Sequence, residues 1–350
     1  MYNNKRKNYS VQPIAGMMYK TKYASLRVFL SDNFNPVNGL DIHIDLNSFI
    51  NAMSTSSKFL QSIPFAGDAV EEDIIVAIFS VLKHWKDWSR MLHVDTRVFL
   101  DMNDFEMYMM PEQDIIKSYL LPYINKFTKD EGLSSMVYYL NEALKKIDAV
   151  LKYVPGVYLI RNDRFDSYVN PIIMDEVGNR EKIIVTGNTL MTSYMIENNC
   201  HVIFSKFKHQ IVDPVMIVQS ISKIDNDIMN TFIRNRVFYS LLNAVIGDYD
   251  RGLIGVTQLG ISSFANDLLR AVERGDIPND PKDIHSVLPI INKSYHDYIT
   301  KAYPLVNVVT HKEMIPQSLI EKLKSTMIDI YDIDQLQGLS VGGFYPMDLL

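Results

Sequence analysis

Residues Leu40 to Ser48 read LDIHIDLNS. Apolar Leu40, Ile42 and Ile44 alternate with Asp41 and His43, and the run stops at Asp45 before a polar turn. That pattern predicts a buried strand with an acid at its carboxyl end. Further along, Thr96 to Asp101 (TRVFLD) reads as a second strand that also ends in an acid. Gly156 to Ile160 (GVYLI), Lys182 to Thr186 (KIIVT) and the short run His201 to Phe204 add a third, fourth and fifth.

Helical patterns fill the spaces between. Ala69 to Leu92 repeats apolar residues at helical spacing and opens on Glu71, Glu72 and Asp73, acids that suit the positive end of a helix dipole. Asp114 to Asn125 and Ser134 to Tyr153 also read as helices, as does Asp166 to Glu176, with Pro171 at a kink or near its first turn. From Pro214 onward the pattern is mainly helical. Strands alternating with helices predict an α/β fold, a parallel sheet covered by helices on both faces. The expected division is an N-terminal extension (1–38), an α/β core (39–213), a helical lobe (214–335) and a C-terminal tail (336–350). The tail, GLSVGGFYPMDLL, is expected to be partly free or docked on a partner through Phe344 and Tyr345.

The chain has 350 residues, of which 47% are hydrophobic and 22% charged, enough for a sizeable core. A formal net charge of −6 speaks against a surface built for nucleic acid by charge excess. Cys200 is the single cysteine, so no internal disulfide can form; a cytoplasmic setting and a small apolar filler fit it. No apolar run is long enough for a membrane span. The opening MYNNKRKNY is basic but lacks the apolar segment of a secretory signal, and reads as a solvated end or a phosphate contact.

Ligand sites in such sheets lie beyond the carboxyl ends of the strands. Asp45 and Asp101 fall at two such ends, Asp166 follows the third strand, and Thr186 to Asn188 (TGN) follow the fourth. Converging carboxylates suit Mg²⁺, which takes hard oxygen ligands and in pairs about 4 Å apart supports phosphodiester hydrolysis. Acids at strand ends are also ordinary turn residues, so the pattern alone leaves both readings open. His43 reads as a satisfied core histidine, and Trp85 and Trp88 as core.

The segments HIDLNSF, VFLDMND, GVYLIRNDRFDSYV, KIIVTGNTLM and AVIGDYDRGLIGVTQLGISSFANDLL, in that order, resemble the flap endonuclease and 5′-nuclease (PIN-like) family. They are most similar to the ribonuclease H type of tailed phages. The likeness runs from about Gly39 to Gly275. Its most specific part matches Gly247, Asp248, Gly255, Val256, Leu259, Gly260, Ser263 and Ala265 to the family motif G-D-x-x-D-N-x-P-G-V-x-G-I-G-x-K-T-A. The resemblance implies a helix–turn–helix clamp in which Gly255, Gly260, Ser262 and Ser263 bring backbone amides to a DNA phosphate. Gln258 and Ser262 stand where the motif has a glycine and the lysine, which weakens such a clamp.

The same carry-over implies Asp45, Asp101, Asp166 and Asp248 as remnants of the catalytic acids. Arg164, Ser167, Asn188, Leu190 and Arg251 occupy positions where the family has carboxylates. Four bare carboxylates would repel one another, and a guanidinium is a fixed cation that bonds carboxylates in pairs. Arg164 and Arg251 are therefore expected to stand in for metal ions. The segment after Asp101, with its methionines and tyrosines from Met102 to Met110, is acidic where active members are basic. The expected function is a pseudo-nuclease serving as a binding or structural module in a phage nucleic-acid-processing assembly, in the host cytoplasm, with a protein partner and no cofactor. Two alternatives remain. One is an active Mg²⁺- or Mn²⁺-dependent 5′-nuclease holding one ion at Asp45, Asp101 and Asp166. The other is a non-cleaving DNA-binding protein.

Overall fold

The computed structural model describes residues 38–46, 68–103, 131–162, 171, 174, 178, 180–186, 200–204, 210–211, 235–246, 255–256, 261–307, 317–327, 332–341 and 345–350. Among them, six strands form one sheet: β1 (Leu40–Asp45), β2 (Thr96–Asn103), β3 (Val157–Asn162), β4 (Glu181–Thr186), β5 (Cys200–Phe204) and β6 (Gln210–Ile211). Their order is β3-β2-β1-β4-β5-β6. The first five run parallel, as the alternation with helices requires. β6 is antiparallel to β5 and has no counterpart among the sequence-based expectations. A strand of two residues carries no readable periodicity.

The sheet has two chemically different faces, because successive side chains point to opposite sides. Leu40, Ile42 and Ile44 of β1 share one face with Val98, Leu100 and Met102 of β2, Val157 and Leu159 of β3, and Ile183 and Val185 of β4. Two long helices cover it. Helix α1 (Asp68–Leu92) contributes Ile74, Ile78, Leu82 and Trp85, and α2 (Glu131–Leu151) contributes Ala143, Leu144, Ile147, Val150 and Leu151. These residues recur at the three- and four-residue spacing of a single helical stripe. Lys146 of α2 pairs with the nearly buried Glu71 of α1, tying the two helices. Trp85 is core, as its position on that stripe implies.

The C-terminal region closes the same core. Leu336 lies in a short helix, α7 (Ile333–Gln337), and Leu349 in a terminal 3₁₀ turn (Pro346–Leu349); both are fully buried in the cluster under α1. Both described ends of the tail expected to be partly free are therefore held on the chain's own core. Tyr345 is exposed, but Pro346 and Leu349 anchor the segment on the chain's own core. Phe344 lies outside the described residues, as do the expected helix at 114–125 and the side chains of Trp88 and Cys200. Of the expected helix Asp166 to Glu176, Pro171 and Met174 are helical and the rest is not described.

The helical part comprises α3 (Arg236–Ile246), α4 (Ile261–Glu273), α5 (His296–Val306) and α6 (Gln317–Thr326). α3 is buried along Val237 to Val245 and packs against α4 and α5. Asn235 caps it: Oδ1 accepts from the amides of Val237 and Phe238 at 2.9 and 3.2 Å. Its Nδ2 donates to Asp280 Oδ1 at 2.6 Å, fastening the helix start to the loop after α4. No described helix is long and apolar enough to cross a membrane.

Candidate functional site

The second face of the sheet is buried and polar. Asp41, His43 and Asp45 alternate along β1 on this side, opposite Arg97, Phe99 and Asp101 of β2 in register. Lys182 and Thr186 of β4 lie on it too, and all of these polar residues except Arg97 are buried. Two charge clusters result, four residues apart along β1, or about 13 Å.

The first cluster lies toward the carboxyl ends. Asp45, the last residue of β1, and Asp101 are register partners on adjacent parallel strands, but β2 continues to Asn103, so Asp101 does not end its strand as the sequence suggests. Each carboxylate already has a donor. Thr186 Oγ1 donates to Asp45 Oδ2 at 2.6 Å, and His43 Nδ1 lies 2.7 Å from Asp101 Oδ2. A carboxylate only accepts, so the imidazole Nδ1–H donates. His43 is held flat against Phe99, ring centroids 4.6 Å apart and 9° from parallel. Phe99 stacks in turn on Tyr158 and lies under the Arg97 guanidinium, 5.4 Å from its ring centroid.

The sequence reads His43 as a satisfied core residue two positions from Asp45. It is in the core, but its partner is Asp101, one strand over. The signal is present in the sequence: a polar residue two positions before a strand-end acid must share that acid's face. What pattern alone lacks is the register that sets His43 beside β2.

The second cluster lies toward the amino ends, and no sequence-based expectation covers it. Asp41 is fully buried and takes both donors of one guanidinium, Arg97 Nε to Oδ1 at 2.8 Å and Nη2 to Oδ2 at 2.7 Å. Arg180 Nε adds a third bond to Oδ1 at 2.8 Å, and Arg180 Nη1 reaches Asp95 Oδ2 at 2.7 Å. Burial works against the Arg97 charge, but the bonds and charge of Asp41, with Tyr158 and Asp95 nearby, outweigh it and move its pKa upward. Polar residues at three alternate positions of LDIHID are the clue to a polar sheet face.

Gly255 has φ of 71°, a left-handed conformation that suits glycine. It is buried, and its amide donates to Tyr298 Oη of α5 at 2.8 Å. Val256 N donates to Val245 O at 2.8 Å, so the chain returns onto the end of α3 before α4 begins. Ser262 and Ser263 lie in the first turn of α4, and Ser263 is exposed there. Asp166, Asp248, Arg164, Ser167, Asn188, Leu190, Arg251 and Gly260 lie outside the described residues.

Mg²⁺ would find two hard oxygen ligands in Asp45 and Asp101, the right donor type. Among the described residues, however, no three His, Cys, Asp or Glu side chains are grouped to hold an ion. The described pair alone does not make up a metal site.

No known family and no curated protein matches the sequence. Solved structures that it is similar to include the bacteriophage T5 flap endonuclease in a pseudo-enzyme–product complex with DNA and metal ions. That match has 12% identity and a TM-score of 0.46, over 82% of this chain and 97% of that one. The T5 5′-exonuclease with bound zinc gives 12% identity and a TM-score of 0.47, over 82% of this chain and 98% of that one. At this identity and overlap the likeness carries nothing about chemistry, which rests on the side chains themselves.

Proposed function

We propose that this chain is a catalytically degenerate 5′-nuclease-like protein that serves as a binding or structural module. The observation that carries it is the 2.7 Å bond from His43 Nδ1 to Asp101 Oδ2. An acid that the family resemblance assigns to a metal rim is bonded instead to a buried side chain of the protein. The sequence adds support, since Arg164, Ser167, Asn188, Leu190 and Arg251 stand where the resemblance calls for carboxylates. In this reading Arg164 and Arg251 supply the positive charge that Asp45, Asp101, Asp166 and Asp248 need. The module works in the host cytoplasm beside a protein partner, and any DNA contact runs through the turn at Gly260, Ser262 and Ser263.

One observation favours the competing reading of an active enzyme: Asp45 and Asp101 are register partners on adjacent strands. The deciding experiment incubates the purified protein with a 5′-flap and a nicked duplex in Mg²⁺ or Mn²⁺, beside Asp45→Ala prepared identically. Equal, background-level cutting by both supports the degenerate reading. Cutting that disappears in Asp45→Ala overturns it. Salt-dependent retardation of the same uncut duplex would assign the module to DNA.

A further inference from the structure

We propose that His43 is a positioning residue that draws Asp101 back from the rim and so lowers the affinity of the Asp45–Asp101 pair for a divalent cation. The inference rests on reading that pair as a remnant metal rim. Asp101 is aligned in register with Asp45, the last residue of β1, yet its Oδ2 bonds to His43, two residues back from the strand end. The bond therefore runs diagonally between the two strands, away from the register partner Asp45. Its burial agrees, with Asp101 1% exposed and His43 fully buried.

The imidazole is itself immobilised. Phe99 stacks on it at 4.6 Å, Tyr158 stacks on Phe99 at 5.3 Å, and the Arg97 guanidinium covers the same phenyl ring. Arg97 is in turn pinned by two bonds to Asp41. A donor held in this way orients its acceptor, as partners behind a metal ligand do, except that here the orientation is away from the position a cation would share with Asp45. Thr186 Oγ1 of β4 donates to one oxygen of Asp45. Two close carboxylates with donors already in place gain less from an added cation than two without.

The test compares Mn²⁺ binding, read from the free-ion electron paramagnetic resonance signal, in the full-length chain and two variants. His43→Asn keeps a donor near the Nδ1 position, whereas His43→Leu keeps bulk and loses the donor. The expected result is Mn²⁺ affinity about tenfold or more higher in His43→Leu than in the natural chain, with His43→Asn close to the natural value. Equal affinity in all three overturns the proposal, and so does a gain in both variants. Should His43→Leu fail to fold, the natural chain answers alone. The His43 Nδ1–H proton resonance persists unshifted as Mg²⁺ is raised if the bond outcompetes the ion. Loss or a saturable shift of that resonance overturns the proposal. A flap cut by the natural chain would instead overturn the degenerate reading, while unchanged Mn²⁺ affinity removes only the role of His43.

Discussion

Arg180 and Asp41 are 139 positions apart in the chain, yet Arg180 Nε donates to Asp41 Oδ1 at 2.8 Å. Arg97 binds the same carboxylate from β2, so one fully buried acid joins β1, β2 and the segment that enters β4. A carboxylate without water is tolerated there because guanidinium donors replace its hydration.

Asp41→Asn should lower stability by about 3–5 kcal/mol, because it leaves two largely buried guanidinium groups without their shared counter-charge. The Arg97 and Arg180 side chains are only 19% and 14% exposed, so solvent cannot replace it. Urea unfolding reads the loss. A change within experimental error would mean that the cluster contributes nothing net.

Gly39→Ala meets the same cluster from another side. Gly39 has φ of +93°, and an added Cβ would lie 2.5 Å from the Arg180 guanidinium. That group cannot swing aside without giving up Asp41 and Asp95. The backbone strain alone is worth about 1–3 kcal/mol. The combination Gly39→Ala with Arg180→Ala should cost less than the sum of the single changes, since the steric conflict disappears. Urea midpoints of the two single variants and the double variant check this, and strict additivity would show that the two groups do not collide.

Tyr239 is completely buried in α3, and burial pushes its hydroxyl pKa above the ordinary value, with the hydrogen bond to the Asn243 side chain opposing only in part. An unfolded tyrosine ionises at about 10. The stability due to this group is therefore complete below that pH and is lost as pH rises toward the folded-state value. Between the two, Tyr239 should remove about 1.4 kcal/mol of stability per pH unit. Tyr239→Phe should flatten the alkaline limb of urea midpoints by one proton, and a slope unchanged by the substitution would refute the assignment.

Leu349→Ala should cost about 2–5 kcal/mol, the usual range for a buried leucine. Tyr345→Ala, at an exposed position of the same segment, should stay within about 0.5 kcal/mol. Thermal melting of the two variants side by side checks this. Equal melting points would show the terminal turn to be only loosely held.

Much of the fold is legible in the sequence because parallel strands buried on both faces have a narrow vocabulary. LDIHID, TRVFLD and KIIVT each stop at or near a side chain that belongs to the rim, and the helices between them carry clear stripes. Asp45 ends its strand for that reason, whereas β2 runs on through Met102 and Asn103 beyond Asp101. The bond from His43 to Asp101 is not legible, since it depends on which residue of β2 stands opposite which residue of β1. The Asp41 cluster is hidden for a similar cause: Arg180 comes from just before β4, and only the strand order brings it beside β1. The tail misleads because glycines in GLSVGGFYPMDLL suggest freedom, while the residues that anchor it, Pro346 and Leu349, are few and local.

Leu336 and Leu349 share a hydrophobic cluster with β1 and α1, the earliest described elements of the chain. A ribosome needs on the order of ten seconds or more to travel that far along a message. Throughout that interval the part of α1 that meets these two leucines lacks them, and a chaperone or a neighbouring nascent chain would find it first. The sheet half expressed by itself, residues 39–213, should accordingly accumulate as insoluble material, and adding residues 332–350 on a separate peptide should restore part of it to solution.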